Sequence, residues 1–196
     1  MGTKNTIYRS YSMEYGTFVG LGWGAMFLSY VEGISYQNGL LIFLCVALFS
    51  VMCVLPFVLA MRLNRKHHEA GERLSYWQGV LFSFSMFMYA CMMNAFIVFS
   101  YFQFLDDGLL MEQLNSMVNT PEIVATYQQI GMGAQYEQML GMLKQVEELT
   151  PFEKALMIFN NNFFISLILT IFVGIVAAYD LTKLKGFGKE QGQSKR

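Results

Sequence analysis

The stretch Met61–Trp77 reads MRLNRKHHEAGERLSYW and sets Arg62, Arg65, Lys66 and Arg73 within twelve residues. On either side lie long runs without a charged residue, Asn38–Met61 and Trp77–Phe104. Basic residues gathered in a short connection between two apolar runs mark a cytoplasmic loop between membrane spans. The stretch therefore orients its neighbours: one helix arrives at the cytoplasmic face and the next one leaves it.

Moving outward, two further charge-free windows appear, Tyr15–Val31 and Ala155–Tyr179. The chain of 196 residues is 55% hydrophobic and 14% charged, against about 25% charged in a soluble domain. A hydrocarbon layer about 30 Å thick takes about 20 residues at about 1.5 Å rise each. Three of the windows exceed that length, while the first holds seventeen residues and must borrow Met13 or Glu14 at its inner edge. Glu14 interrupts the approach to it and no small-x-small cleavage site follows, which predicts a retained helix. The expected fold class is all-α: a polytopic integral membrane protein with four transmembrane helices and an extracytoplasmic helical insert between helices 3 and 4. The expected boundaries form one membrane domain over 1–196, with spans at about 13–31, 38–61, 77–104 and 155–181. The cytoplasmic hinge is 62–76, the insert 105–153 and the cytoplasmic basic tail 182–196.

Charge alternates along the chain in step with these boundaries. The N-terminal segment, the hinge and the tail together hold eleven of the thirteen basic residues. From Leu105 to Lys154, eight acids stand against Lys144 and Lys154, a net of −6. The positive-inside rule then places both termini and the hinge in the cytoplasm. Arg62, Arg65, Lys66 and Arg73 are the candidate contacts to anionic lipid headgroups.

Within the spans, a few residue types stand out. Gly16, Gly20 and Gly24 recur every fourth residue, which puts them on one helix face and lets a neighbouring backbone come close. Pro56, about a turn from the inner end of span two, removes one helical hydrogen bond and predicts a kink. In span three, Ser83, Phe87, Ala90, Cys91 and Asn94 share a face. Asn160, Asn161 and Asn162 put three amides near the start of the last span, where each needs a hydrogen-bond partner. Asn94 and Asn161 lie roughly 15 and 9 Å below the outer ends of their spans, so the expectation is that Asn94 bonds to the triplet.

The insert predicts three short helices. Asp106 or Asp107 caps the first, Thr120-Pro121-Glu122 opens the second, and Gly131 and Gly133 separate it from a third. Thr150-Pro151-Phe152-Glu153 reads as a capping box starting the last span. The apolar stripes of the insert helices must be covered by each other, by the outer membrane surface or by a partner.

Chemistry is sparse. Cys45, Cys53 and Cys91 fall inside spans without metal-ligand spacing, and thiols there act as small apolar groups. His67, His68, Glu69 and Glu72 form the one His and carboxylate cluster, and as a solvated, arginine-flanked loop it calls for no metal. The expectation is no enzyme and no catalytic, cofactor or metal site. Its partners would be the lipid bilayer and a membrane or periplasmic protein or a further copy of the chain, with no nucleic acid. The alternative is a small transporter or channel subunit acting as an oligomer, although internal repeats and intramembrane ionisable groups are missing.

The chain also resembles the bacterial family of domain of unknown function 4199. The resemblance rests on Gly71, Glu72, Arg73, Leu74, Ser75 and Tyr76 before span three, with Glu72 where relatives often carry a second glycine. It continues with Tyr101-Phe102-Gln103-Phe104-Leu105-Asp106-Asp107-Gly108 leaving that span, the Met- and Glu-rich helical insert, the Thr-Pro start and the basic end. It covers about Tyr15 to Lys185. The resemblance implies a four-helix, multi-pass protein of the bacterial inner (plasma) membrane, with no assigned activity.

Overall fold

Long charge-free runs become helices because a backbone in lipid has to satisfy its own hydrogen bonds. A computed structural model of the protein describes residues 2–69 and 74–179, with side chains from Ser10 onward. The described residues form seven helices and no strand: α1 (Gly2–Ser35), α2 (Gly39–Glu69), α3 (Tyr76–Phe104), α4 (Leu109–Val118), α5 (Pro121–Gln129), α6 (Gly133–Glu148) and α7 (Pro151–Ala178). Three of them, α2, α3 and α7, are long and apolar enough to cross a membrane. The first expected span lies inside α1, which is not among the three. Its glycines, serines and tyrosines dilute the hydropathy, and it buries Ser12, Tyr15, Val19, Val31 and Ile34. A helix packed on protein needs less lipophilic surface than α2, whose most apolar window is only 6% buried.

α2 also runs further than the charge-free window. It continues through Pro56 without a break and carries Arg62, Arg65 and Lys66 as far as Glu69. Arg73 and the tail lie outside the described residues.

The chain divides into two compact units, one holding residues up to Gly20, Val51–Cys91 and Asn162 onward, the other Leu21–Ser50 and Met92–Asn161. In the first unit, α1 meets α3 at Gly16. A methyl group added to Gly16 would collide with the Met86 carbonyl oxygen and lie 2.7 Å from Tyr89 Cβ. α3 meets α7 as closely, since a methyl on Gly79 would stand 2.7 Å from the Gly174 carbonyl oxygen. Phe87, Met86 and Val173 are fully buried there. α2 is tied to the end of α7 by Asn64 Nδ2, which donates to the Tyr179 carbonyl at 2.7 Å.

In the second unit, Val31, Ile34, Tyr101 and Leu110 form a core flanked by Phe27, Ile42, Phe102 and Leu114. Phe27 and Tyr101 meet edge to face at 5.7 Å, the arrangement ring quadrupoles favour. α1 ends with Gln37 in the left-handed region, φ 50°. The Asn38 amide then donates to Gly33 O at 2.8 Å and the Gln37 amide to Ile34 O at 3.1 Å. That pair of bonds is a Schellman closure, made here without the usual glycine.

The three helices expected between α3 and α7 are present as α4, α5 and α6. One start differs from expectation: neither Asp106 nor Asp107 caps α4, because Gly108 occupies that position at φ 86°. Asp106 instead accepts the Gly108 amide at 3.2 Å and shapes the approach. α5 begins at Pro121 as expected, but Thr120 turns its hydroxyl back to Met117 O at 2.8 Å rather than capping. The box at α7 is complete: the Thr150 amide donates to Glu153 Oε2 at 2.8 Å, and the Glu153 amide returns to Thr150 Oγ1 at 3.3 Å.

Candidate functional site

Four places among the described residues carry more than packing. The first is the basic face of α2. Arg62, Arg65 and Lys66 are all exposed. Lys66 Nζ donates to Tyr11 OH at 3.2 Å and stands 4.4 Å from the centre of that ring. The hydrogen bond to Tyr11 raises the Lys66 pKa above 10.5, so a fixed positive charge sits just past the apolar run of α2. A lysine or arginine at that level suits a lipid phosphate.

The second is the set of amides carried by α3 and α7. Asn94 is 3% exposed and its Oδ1 has no hydrogen-bond partner. Asn160 and Asn161 are exposed and Asn162 half-buried. The bond expected between Asn94 and the triplet is therefore not made. Sequence spacing does not fix the rotation that turns Asn94 inward and Asn160 outward.

The third is a groove of about 430 Å³ between α3 and α7, lined by Met92, Phe96, Phe99, Phe152, Leu156 and Phe159 among others. Ala155 is buried beneath it. The fourth is an open hollow of about 300 Å³ at α5 and α6, lined by Val118, Glu122, Ile123, Thr126, Tyr127 and Met139. Neither α5 nor α6 has a buried residue. Their apolar stripes are half-buried against each other, with Tyr127 and Tyr136 ring centres 5.6 Å apart, whereas α4 places Leu110 and Met111 in the core.

The glycine face of α1 behaves as a packing surface. Gly16 meets α3 as described, Gly24 packs against the Ile97 side chain, and Gly20 is buried. Sequence reading missed the second close approach, Gly79 against Gly174. Its signal was the run of small residues Ser166, Thr170, Gly174 and Ala178, spaced by four along α7. Asn64 was missed too, hidden among the charges of the basic stretch. Among the described residues, no group of three or more His, Cys, Asp or Glu side chains could hold a metal ion.

A family model for a protein of unknown function, DUF4199, matches residues 14–178. The chain belongs to the DUF4199 family. The resemblance read from the hinge and from the exit of α3 is thus borne out. The DUF4199 match runs from Glu14 in α1 to the last residue of α7, so α4, α5 and α6 lie within the family region. No curated protein and no solved structure matches this DUF4199 chain.

Proposed function

We propose that this is a non-catalytic, four-span protein of the bacterial inner membrane that engages a partner protein through α5 and α6 outside the cytoplasm. In this reading α1 is the fourth span, both termini and the basic face of α2 are cytoplasmic, and the α2 cations contact anionic headgroups. The observation that carries the proposal is that the apolar stripes of α5 and α6 are only half-buried, with no residue fully buried, and edge an open hollow within an acidic segment of net −6. An amphipathic pair with that charge is repelled by an anionic lipid surface and attracts a basic one, so the partner presents an apolar anchor flanked by Lys or Arg.

The test is photo-cross-linking from Ile123 and from Met139 in native membranes. One recurring adduct, lost when Glu122→Lys reverses the local charge, is the expected result. Adducts that are absent, or indifferent to Glu122→Lys, would remove the partner. A second reading, a small transporter or channel subunit, draws on the unpartnered Asn94 Oδ1 within α3. Solute flux in liposomes that disappears in Asn94→Leu would favour it.

A further inference from the structure

Lys66 and Tyr11 meet without exhausting their donors. In the bond between them Lys66 Nζ donates and Tyr11 OH accepts, at 3.2 Å. The ammonium keeps two further N–H donors and the phenol keeps its own O–H, and among the described residues no acceptor takes any of them. Arg62 stands one helical turn before Lys66 on the same face of α2 and is exposed. Among the described residues no carboxylate pairs with Arg62, Arg65 or Lys66, and the charged and phenolic groups that act on Lys66 are Arg62, Tyr11 and Tyr15. The cluster is positive and offers only donors.

The Tyr11 hydroxyl is held from behind. Its ring lies 5.7 Å from that of Tyr15. Tyr15 is buried and meets Phe82 of α3 edge to face at 6.2 Å, and Ser12 Oγ donates to Phe82 O at 3.5 Å. The donor pair is therefore anchored before any ligand arrives. Lys66 comes five residues after Met61, the last of the charge-free run, about 7–8 Å further along the helix. Headgroups extend about 5–7 Å beyond each edge of the hydrocarbon. The ammonium thus stands at headgroup level.

We propose that Tyr11 and Lys66 form a phosphate site, in which one non-ester oxygen of an anionic phospholipid accepts from the Tyr11 hydroxyl and the Lys66 ammonium together, with Arg62 beside it. Two donors 3.2 Å apart converge on a single acceptor, and a charged phosphate oxygen accepts more than one hydrogen bond. The amine of a zwitterionic headgroup would meet Arg62 and Arg65 as a like charge, which selects an anionic lipid. The inference rests on the reading that the α2 cations contact anionic headgroups. It adds a residue of α1 that turns a diffuse attraction into a defined site.

The purified full chain, stripped of lipid in an uncharged detergent, is titrated with phosphatidylglycerol, and bound lipid is counted by native mass spectrometry. A single phosphatidylglycerol per chain is expected at the lowest lipid concentrations, with phosphatidylcholine retained far less and inorganic phosphate unable to displace the lipid. Tyr11→Phe, which keeps the ring and every charge, weakens retention about tenfold. Lys66→Gln weakens it at least as much, while Lys144→Gln, which removes an equal charge from α6, leaves it unchanged. The lipid-free thermal midpoint of Tyr11→Phe stays with the wild type, because the ring contact to Tyr15 remains. If Tyr11→Phe holds the lipid as tightly as the wild type while Lys66→Gln does not, the site is overturned and the headgroup contact of α2 stands. Equal retention of the two lipids by the wild type overturns both, and displacement by inorganic phosphate overturns the lipid as its occupant.

Discussion

At Gly16 the space for a side chain is already occupied by the Met86 carbonyl. Gly16→Ala must push two helix backbones apart, which costs about 1–3 kcal/mol of overpacking strain. Gly39, with nothing within 4 Å, supplies the control. Thermal unfolding in detergent is expected to show a lowered midpoint for Gly16→Ala and much less change for Gly39→Ala; equal midpoints would mean the helices are not in contact. Asn94 behaves in the opposite sense. Its buried Oδ1 lacks a donor, and an unsatisfied buried acceptor carries a penalty of about 1–3 kcal/mol. Asn94→Leu is expected to leave the midpoint unchanged or raise it, and a clear fall would reveal a donor. The glycines were legible in the sequence because a four-residue repeat fixes a face without reference to anything else. The destination of Asn94 was not, because it depends on how two helices are rotated against each other.

Among the elements, the start of α7 gives the clearest titration. The hydroxyl and amide of Thr150 both donate to the Glu153 carboxylate, and the hydroxyl bond is the larger cause holding its pKa below 4.5. A carboxylate with a depressed folded pKa adds stability that is present above the unfolded value and fades as pH falls through the folded one. Glu153 precedes the charge-free window, in reach of water, so its side-chain carbon can be followed by NMR in micelles. A midpoint below 4.5 is expected, moving back towards 4.5 in Thr150→Val. A wild-type midpoint at or above 4.5 would deny the box. This start was readable because Thr-Pro-x-Glu names every participant within four residues. The start of α4 was misread because two aspartates beside Gly108 look like caps, while the backbone needed a left-handed turn first. α2 overran its expected end for a related reason: Arg, Asn, Lys and His are acceptable helix residues, and the stretch offers no glycine before Gly71 and no proline at all.

For the molecule as a whole, the number of crossings decides the arrangement. α2, α3 and α7 alone would put the N-terminus and α4–α6 on the same side, opposite the basic stretch. Adding α1 returns the N-terminus to the side of Arg62, Arg65 and Lys66. Protease added to spheroplasts is therefore expected to cut a site inserted after Gln135 and to spare an N-terminal tag. Cleavage of both would leave α1 outside the bilayer, and cleavage of neither would invert the insert. Three helices long and apolar enough to cross a membrane were legible from charge-free length alone. α1 was not settled by length, because a helix that shelters against its neighbours carries glycine and serine where the more exposed helices use leucine and phenylalanine.

Five hydroxyl groups of the long helices close back on their own backbones. Ser29 donates to Ala25 O, Ser50 to Val46 O, Ser83 to Gly79 O, Ser100 to Phe96 O and Thr170 to Ser166 O, at 2.8 to 3.0 Å. These five groups are thus satisfied inside a single rod and need no companion. They therefore leave the meeting of the rods to other features, the notches at Gly16 and Gly79 and the Asn64 reach to Tyr179.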